Sequence, residues 1–159
     1  MNTPLSSRPS LYGLWLLLAL FTGASQAGSE SATSPAGLWQ TVDDATGKPR
    51  ALVRVSIEQG TLVGTIEKSL NPQDKADARC DKCADARKGQ PIIGMALLSG
   101  LKRDGSDPLL WSGGEIVDPD SGTLYRARVK LSPDGTRMEV RGFVGVSLFG
   151  RTQVWQRQE

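Results

Sequence analysis

The sequence predicts an all-β domain, an eight-stranded antiparallel up-and-down barrel, on three observations. Apolar and polar residues alternate with a period of two in segment after segment, clusters of turn-forming residues separate the segments, and no stretch after residue 37 sustains a 3.6-residue period. Closing such a meander into a barrel removes the free strand edges that invite aggregation. A β-sandwich is the alternative architecture.

The N-terminal 27 residues read as a secretory signal peptide. Arg8 precedes the apolar run Leu11–Phe21, and Ser25-Gln26-Ala27 supplies the small-x-small pattern of a cleavage site. About eleven apolar residues are too few to span a bilayer, which takes roughly twenty. Cleavage after Ala27 would leave Gly28 first, where a lipoprotein needs cysteine, so the expectation is a periplasmic or secreted protein with neither lipid anchor nor membrane span. Residues 28–36 are small and polar and read as a disordered lead-in.

Removing 27 of 159 residues leaves 132, enough for one domain with its own core, placed at 37–159. Losing Arg8 lowers the formal net charge from +2 to +1. A near-neutral balance with interspersed signs argues against a nucleic-acid partner or an anionic membrane surface. The chain has no histidine, which removes Ser/His/Asp and Cys/His catalysis and histidine metal sites together.

The strands are expected at about 38–43, 50–58, 61–69, 92–102, 109–118, 123–132, 137–145 and 147–157. In the second, Ala51, Val53, Val55 and Ile57 alternate with Leu52, Arg54, Ser56 and Glu58; in the sixth, Tyr125, Ala127, Val129 and Leu131 alternate with Leu124, Arg126, Arg128 and Lys130. Turn chemistry marks the joints at Glu58-Gln59-Gly60, 104–108, 118–122 and Ser132-Pro133-Asp134-Gly135. Gly64, Gly113, Gly114, Gly142, Gly145 and Gly150 fall where strands bend or backbones approach.

One connection is long, from about Asn71 to Pro91, and carries Cys80-Asp81-Lys82-Cys83 in a charged setting. In an oxidising compartment these two cysteines most simply close a local disulfide. A thioredoxin-like redox pair would want its first cysteine at a helix N-terminus. Zinc would need further ligands that only carboxylates such as Asp77, Asp81 or Asp85 could supply. Asp118 and Asp120 read as turn formers rather than calcium ligands, and no metal or cofactor is expected.

Gly37-Leu38-Trp39 opens the first strand, and Phe149, Arg151, Gln153, Trp155 and Arg157 share one face of the last. First and last strands are neighbours in a closed meander, so Trp39 is expected to stack on an arginine from the far end; Gly37, Trp39 and Arg157 form the structural set. If the odd-numbered face points inward, Arg151 needs a carboxylate such as Glu115 or an anionic ligand. If it points outward, Leu148, Thr152 and Val154 form the core face and the stripe docks a partner.

Four motifs together resemble a bacterial family of exported proteins, domain of unknown function 2147. They are Gly-x-Trp at 37–39, Cys-x-x-Cys at 80–83 ahead of Pro91-Ile92-Ile93-Gly94-Met95, Trp-x-Gly-Gly-x-Ile-x-Asp-Pro-x-x-Gly-x-x-Tyr at 111–125, and Arg-Gly-Phe-x-Gly-x-x-Leu-Phe-Gly-Arg-x-Gln-x-Trp at 141–155. The resemblance implies an envelope protein with a lipocalin-like, calycin-type barrel and carries no catalytic residues.

Three functions compete. The leading one is a binding protein that holds a small apolar or anionic ligand in the barrel, with Trp111, Tyr125, Arg141, Arg151 and Trp155 as candidate contacts. The second is a filled barrel that docks another envelope protein. The third, an enzyme that is either a thiol oxidoreductase through Cys80 and Cys83 or a hydrolase with carboxylate chemistry, comes last, because the chain has no histidine and no paired-carboxylate signature.

Overall fold

The computed structural model describes residues 34–146 and 148–159. Eight antiparallel strands close into one barrel in sequence order: β1 (Gly37–Val42), β2 (Pro49–Glu58), β3 (Thr61–Ser69), β4 (Ala96–Arg103), β5 (Leu110–Val117), β6 (Leu124–Leu131), β7 (Arg137–Phe143) and β8 (Gly150–Arg157). Closure comes from a short ladder in which Trp39 pairs with Arg157 and Gln40 with Gln156. The barrel, not the sandwich, is therefore the fold. No helix occurs among the described residues.

Period-two alternation builds these strands because successive side chains point to opposite faces of the sheet. The inward set is apolar and lies deepest at one end, where Trp39, Val53, Leu62, Leu98, Leu101, Trp111, Val129, Leu131 and Met138 are buried. A bulge between Ser112 and Gly114 shifts the register of β5 and brings its backbone close to β4. A Cβ on Gly114 would fall 2.2 Å from the Ser99 carbonyl oxygen.

The turns use the chemistry the sequence announces. Asp43 accepts from the Thr46 amide (2.8 Å), Asp104 from Ser106 (2.8 Å), Asp118 from Asp120 (2.9 Å) and Asp134 from Thr136 (3.1 Å). Each carboxylate replaces a backbone partner that a tight turn leaves unsatisfied.

Three expectations are corrected. Residues 34–36 are ordered rather than disordered: Pro35 is fully buried, and the Ser34 and Ala36 carbonyls accept from Arg157. β4 begins at Ala96, not 92, because the chain turns at Gly94, whose amide donates back to Ile66 (2.7 Å). β7 ends at Phe143 and β8 starts at Gly150, so the apolar run between them is a turn rather than strand. Residues 1–33, which hold the expected signal peptide and most of the expected lead-in, lie outside the described residues.

Trp39 and Arg157 seal the deep end. The Arg157 guanidinium lies 4.4 Å from the Trp39 ring centroid and donates to the carbonyls of Gly135 (2.5 Å), Ser34 (2.6 Å) and Ala36 (2.8 Å). Trp39 Nε1 donates to Pro35 (2.9 Å). Gly37 has φ of 147°, and a Cβ there would sit 2.5 Å from an Arg157 nitrogen, so the residue is glycine for both backbone and space.

Candidate functional site

In an up-and-down barrel alternate connections fall at alternate ends. The β1–β2, β3–β4, β5–β6 and β7–β8 connections therefore share the end opposite the Trp39–Arg157 seal, and they surround the mouth of a cavity of about 750 Å³. Its inner wall is apolar, formed by Ile66, Leu97, Ile116, Val140 and the ring of Tyr125, with Trp155 at the floor. Charged side chains gather at the rim.

The long β3–β4 connection makes one side of this rim, fixed to the strands at several points. Arg50 on β2 pairs with Asp74 and also reaches Asp120 on the β5–β6 turn (3.3 Å). Asp74 further accepts from Ser69 (2.6 Å) and Asn71 (2.9 Å). Burial pushes the Asp74 carboxyl up, but the hydrogen bonds from Ser69, Arg50 and Asn71 outweigh it and hold the group below the usual carboxylate range. Arg87, nearly buried, binds Asp85 and reaches Glu115 on β5 (3.0 Å). Its hydrogen bond lowers the Asp85 carboxyl from 3.8 to about 2.

Cys80 and Cys83 form a disulfide and are both buried. The segment sits directly on the β5–β6 turn: Lys82 Nζ donates to the Asp120 carbonyl (2.9 Å), and a Cβ on Gly122 would lie 2.1 Å from the Lys82 carbonyl oxygen. The bond thus shapes a packed piece of wall. Cys80 starts no helix, the setting that would stabilise a reactive thiolate.

The last strand settles its own parity. Trp155 is buried, Gln153 is half-buried, and Val154 is 40 % exposed, so the odd-numbered face points inward and the alternative core face of Leu148, Thr152 and Val154 does not form. At the mouth this face emerges into solvent. Arg151 pairs with Asp44 (2.8 Å), not with Glu115, which is taken by Arg87. Asp44 also accepts from Gln153 Nε2 (2.8 Å), and Gln153 Oε1 accepts from the indole N–H of Trp155 (3.0 Å). A polar chain therefore runs from the rim to the floor along β8.

Of the five candidate contacts, the fold brings together Tyr125, Arg151 and Trp155 on the cavity. Trp111 lies in the deep core, 4 % exposed and away from the mouth. Arg141 stands on the outer wall, donating to Thr152 Oγ1 (2.8 Å) and the Leu148 carbonyl (3.1 Å). Sequence reasoning missed Asp44, Arg50 and Asp74. Their roles arise from strand closure and loop folding, for which no local signal exists, whereas Gln153 shares the two-residue spacing of Arg151 and Trp155.

Among the described residues no group of three or more His, Cys, Asp or Glu is placed to hold a metal ion, and no helix is long and apolar enough to cross a membrane. The barrel superposes on that of a Helicobacter pylori protein described as belonging to the lipocalin family, with a TM-score of 0.68 and 20% identity, covering 79% of this chain and 84% of that one. At that identity the likeness shows the fold. No curated protein matches the chain. Residues 37–157, the whole barrel from Gly37 in the seal to Arg157 against Trp39, match the family described as uncharacterized protein conserved in bacteria, domain of unknown function 2147, and the chain belongs to that family.

Proposed function

We propose that the protein is an exported binding protein of the bacterial cell envelope, holding one small, mainly apolar ligand with its polar or anionic end at the rim. The observation that carries this reading is the cavity of about 750 Å³. Its size falls within the range of small-molecule sites, and an apolar interior with a few placed polar groups is their usual make-up. Ile116, Tyr125, Val140 and Trp155 would contact the apolar body; Arg151, Gln153 and Arg50 would meet the polar end.

Export is supported by the signal-peptide-like pattern of residues 8–27 and by a cysteine pair in the oxidised form. We place the mature start at Gly28 and the protein in the periplasm, without a lipid anchor. The filled docking module is the weaker reading, since the interior has room for a ligand.

Native mass spectrometry of protein purified from its producing cell tests the proposal, with Ala51→Trp as the companion variant. Ala51 lines the cavity, so an indole there occupies the space a ligand needs. The expected result is a small molecule co-purifying with the unsubstituted protein and absent from the variant. An empty protein that also fails to take up fluorescent apolar probes would overturn the reading.

A further inference from the structure

The β7–β8 turn carries hydrocarbon into water. From Gly142 to Gly150 the chain has no charged residue, and Val144, Val146, Leu148 and Phe149 are 65 %, 61 %, 78 % and 71 % exposed. Single exposed apolar side chains are ordinary, but four on one turn mark a surface that meets something. The turn also belongs to the mouth, since Val144 and Phe149 line the cavity.

Directly below it the outer wall is basic. Arg128 on β6 and Arg141 on β7 are cross-strand partners, in a row continued by Ser112 on one side and Thr152 on the other, with no carboxylate in register. Arg126 lies one row nearer the turn, between Phe143 on β7 and Glu115 on β5, a carboxylate that Arg87 also holds. Arg141 reaches the turn itself, through its bond to the Leu148 carbonyl.

We infer that this turn docks the barrel mouth on an anionic lipid surface. Its apolar side chains enter the boundary of the hydrocarbon while Arg126, Arg128 and Arg141 lie at the level of the lipid phosphates. The near-neutral total charge conceals this arrangement because it averages over the molecule; at the rim Asp44 pairs with Arg151, and Asp74 and Asp120 with Arg50, while Asp43 and Asp118 accept from backbone amides of their own turns. A tip of hydrocarbon side chains offers a protein partner few directional contacts, whereas a bilayer requires only apolar burial and charge. Docking stands without the ligand reading and goes beyond it; if both hold, an apolar ligand passes between bilayer and cavity without crossing water.

Vesicle flotation of the mature protein, starting at Gly28 and so without the apolar 11–21 run, tests docking, comparing phosphatidylglycerol-containing vesicles with pure phosphatidylcholine at about 0.1 M salt, where charges still act over roughly 10 Å. The double substitution Val146→Asp with Leu148→Asp, neither residue lining the cavity, is expected to weaken binding to the anionic vesicles by at least about tenfold. Arg128→Glu should weaken it at least about fivefold, from loss of one basic group near the surface. Circular dichroism and uptake of an apolar probe should match the unsubstituted protein in both variants. Equal flotation of all three proteins would overturn the inference. So would absence of flotation together with a dimer, seen by sedimentation, that the double substitution dissolves, since a second copy would then be the occupant.

Discussion

Replacing Arg157 with methionine tests the seal at the deep end of the barrel. The substitution keeps most of the side-chain length and removes three hydrogen bonds, to Ser34, Ala36 and Gly135, together with the stacking on Trp39. Hydrogen bonds from a charged group contribute about 1.5–3 kcal/mol each when fully desolvated. Here the three carbonyls lie at the barrel end and regain water in the variant, so roughly 0.5–1 kcal/mol apiece is the better figure. Stacking adds about 1 kcal/mol. Relief of the burial that lowers the Arg157 pKa offsets part of the loss. The net expectation is about 3 kcal/mol, read from urea unfolding, or a fall in Tm of about 10 °C for a domain of this size. Arg157→Lys keeps the charge but cannot present a planar fork to three carbonyls, and should recover less than half of that. Probe binding at the opposite end should be unaffected. A loss below about 0.5 kcal/mol in the methionine variant would refute the idea that these contacts close the barrel.

Gly122→Ala should dislodge the cysteine loop, because the new methyl meets the Lys82 carbonyl and the backbone has φ of 73°; a cost of about 1–3 kcal/mol and faster hydrogen exchange at 78–90 are expected. Arg151→Met should cost less than about 1 kcal/mol, since its pair with Asp44 is on a side chain 65 % exposed, while weakening uptake of anionic but not neutral apolar probes. Uniform loss of both probes would instead assign Arg151 to the shape of the mouth. Asp85 has its folded pKa depressed from 3.8 to about 2, so the stability it contributes is present above about pH 4 and lost as pH falls through about 2. Loop protection should thus decline progressively between about pH 4 and pH 2, with Asp85→Asn weakening that dependence without removing it, because Asp74 in the same connection is also held below the usual carboxylate range; protection lost already at pH 4 would contradict the assignment.

Much of this protein was legible in the amino-acid sequence. Alternation at 51–58 and 124–131 specifies strands because the pleat itself has a period of two, and Asp-rich clusters at 104, 118 and 134 specify turns because a short carboxylate bonds its own backbone. The stacking of Trp39 on Arg157 follows once the chain is read as a closed meander, since closure makes first and last strands neighbours. The local disulfide is equally near at hand, as three residues separate its cysteines.

Tertiary structure alone decided the rest. Alternation is blind to which face turns inward, so the parity of β8 had to come from packing, with Trp155 buried and Val154 exposed. The partnership of Arg151 with Asp44 spans most of the chain and exists only because β8 closes on β1. The apolar residues at 144–149 look like strand by composition, yet they form an exposed turn, because hydrophobicity does not tell a side chain whether anything lies opposite it. Whether the barrel is filled or open is likewise a sum over eight strands of side-chain volumes and bulges, a quantity no single segment contains.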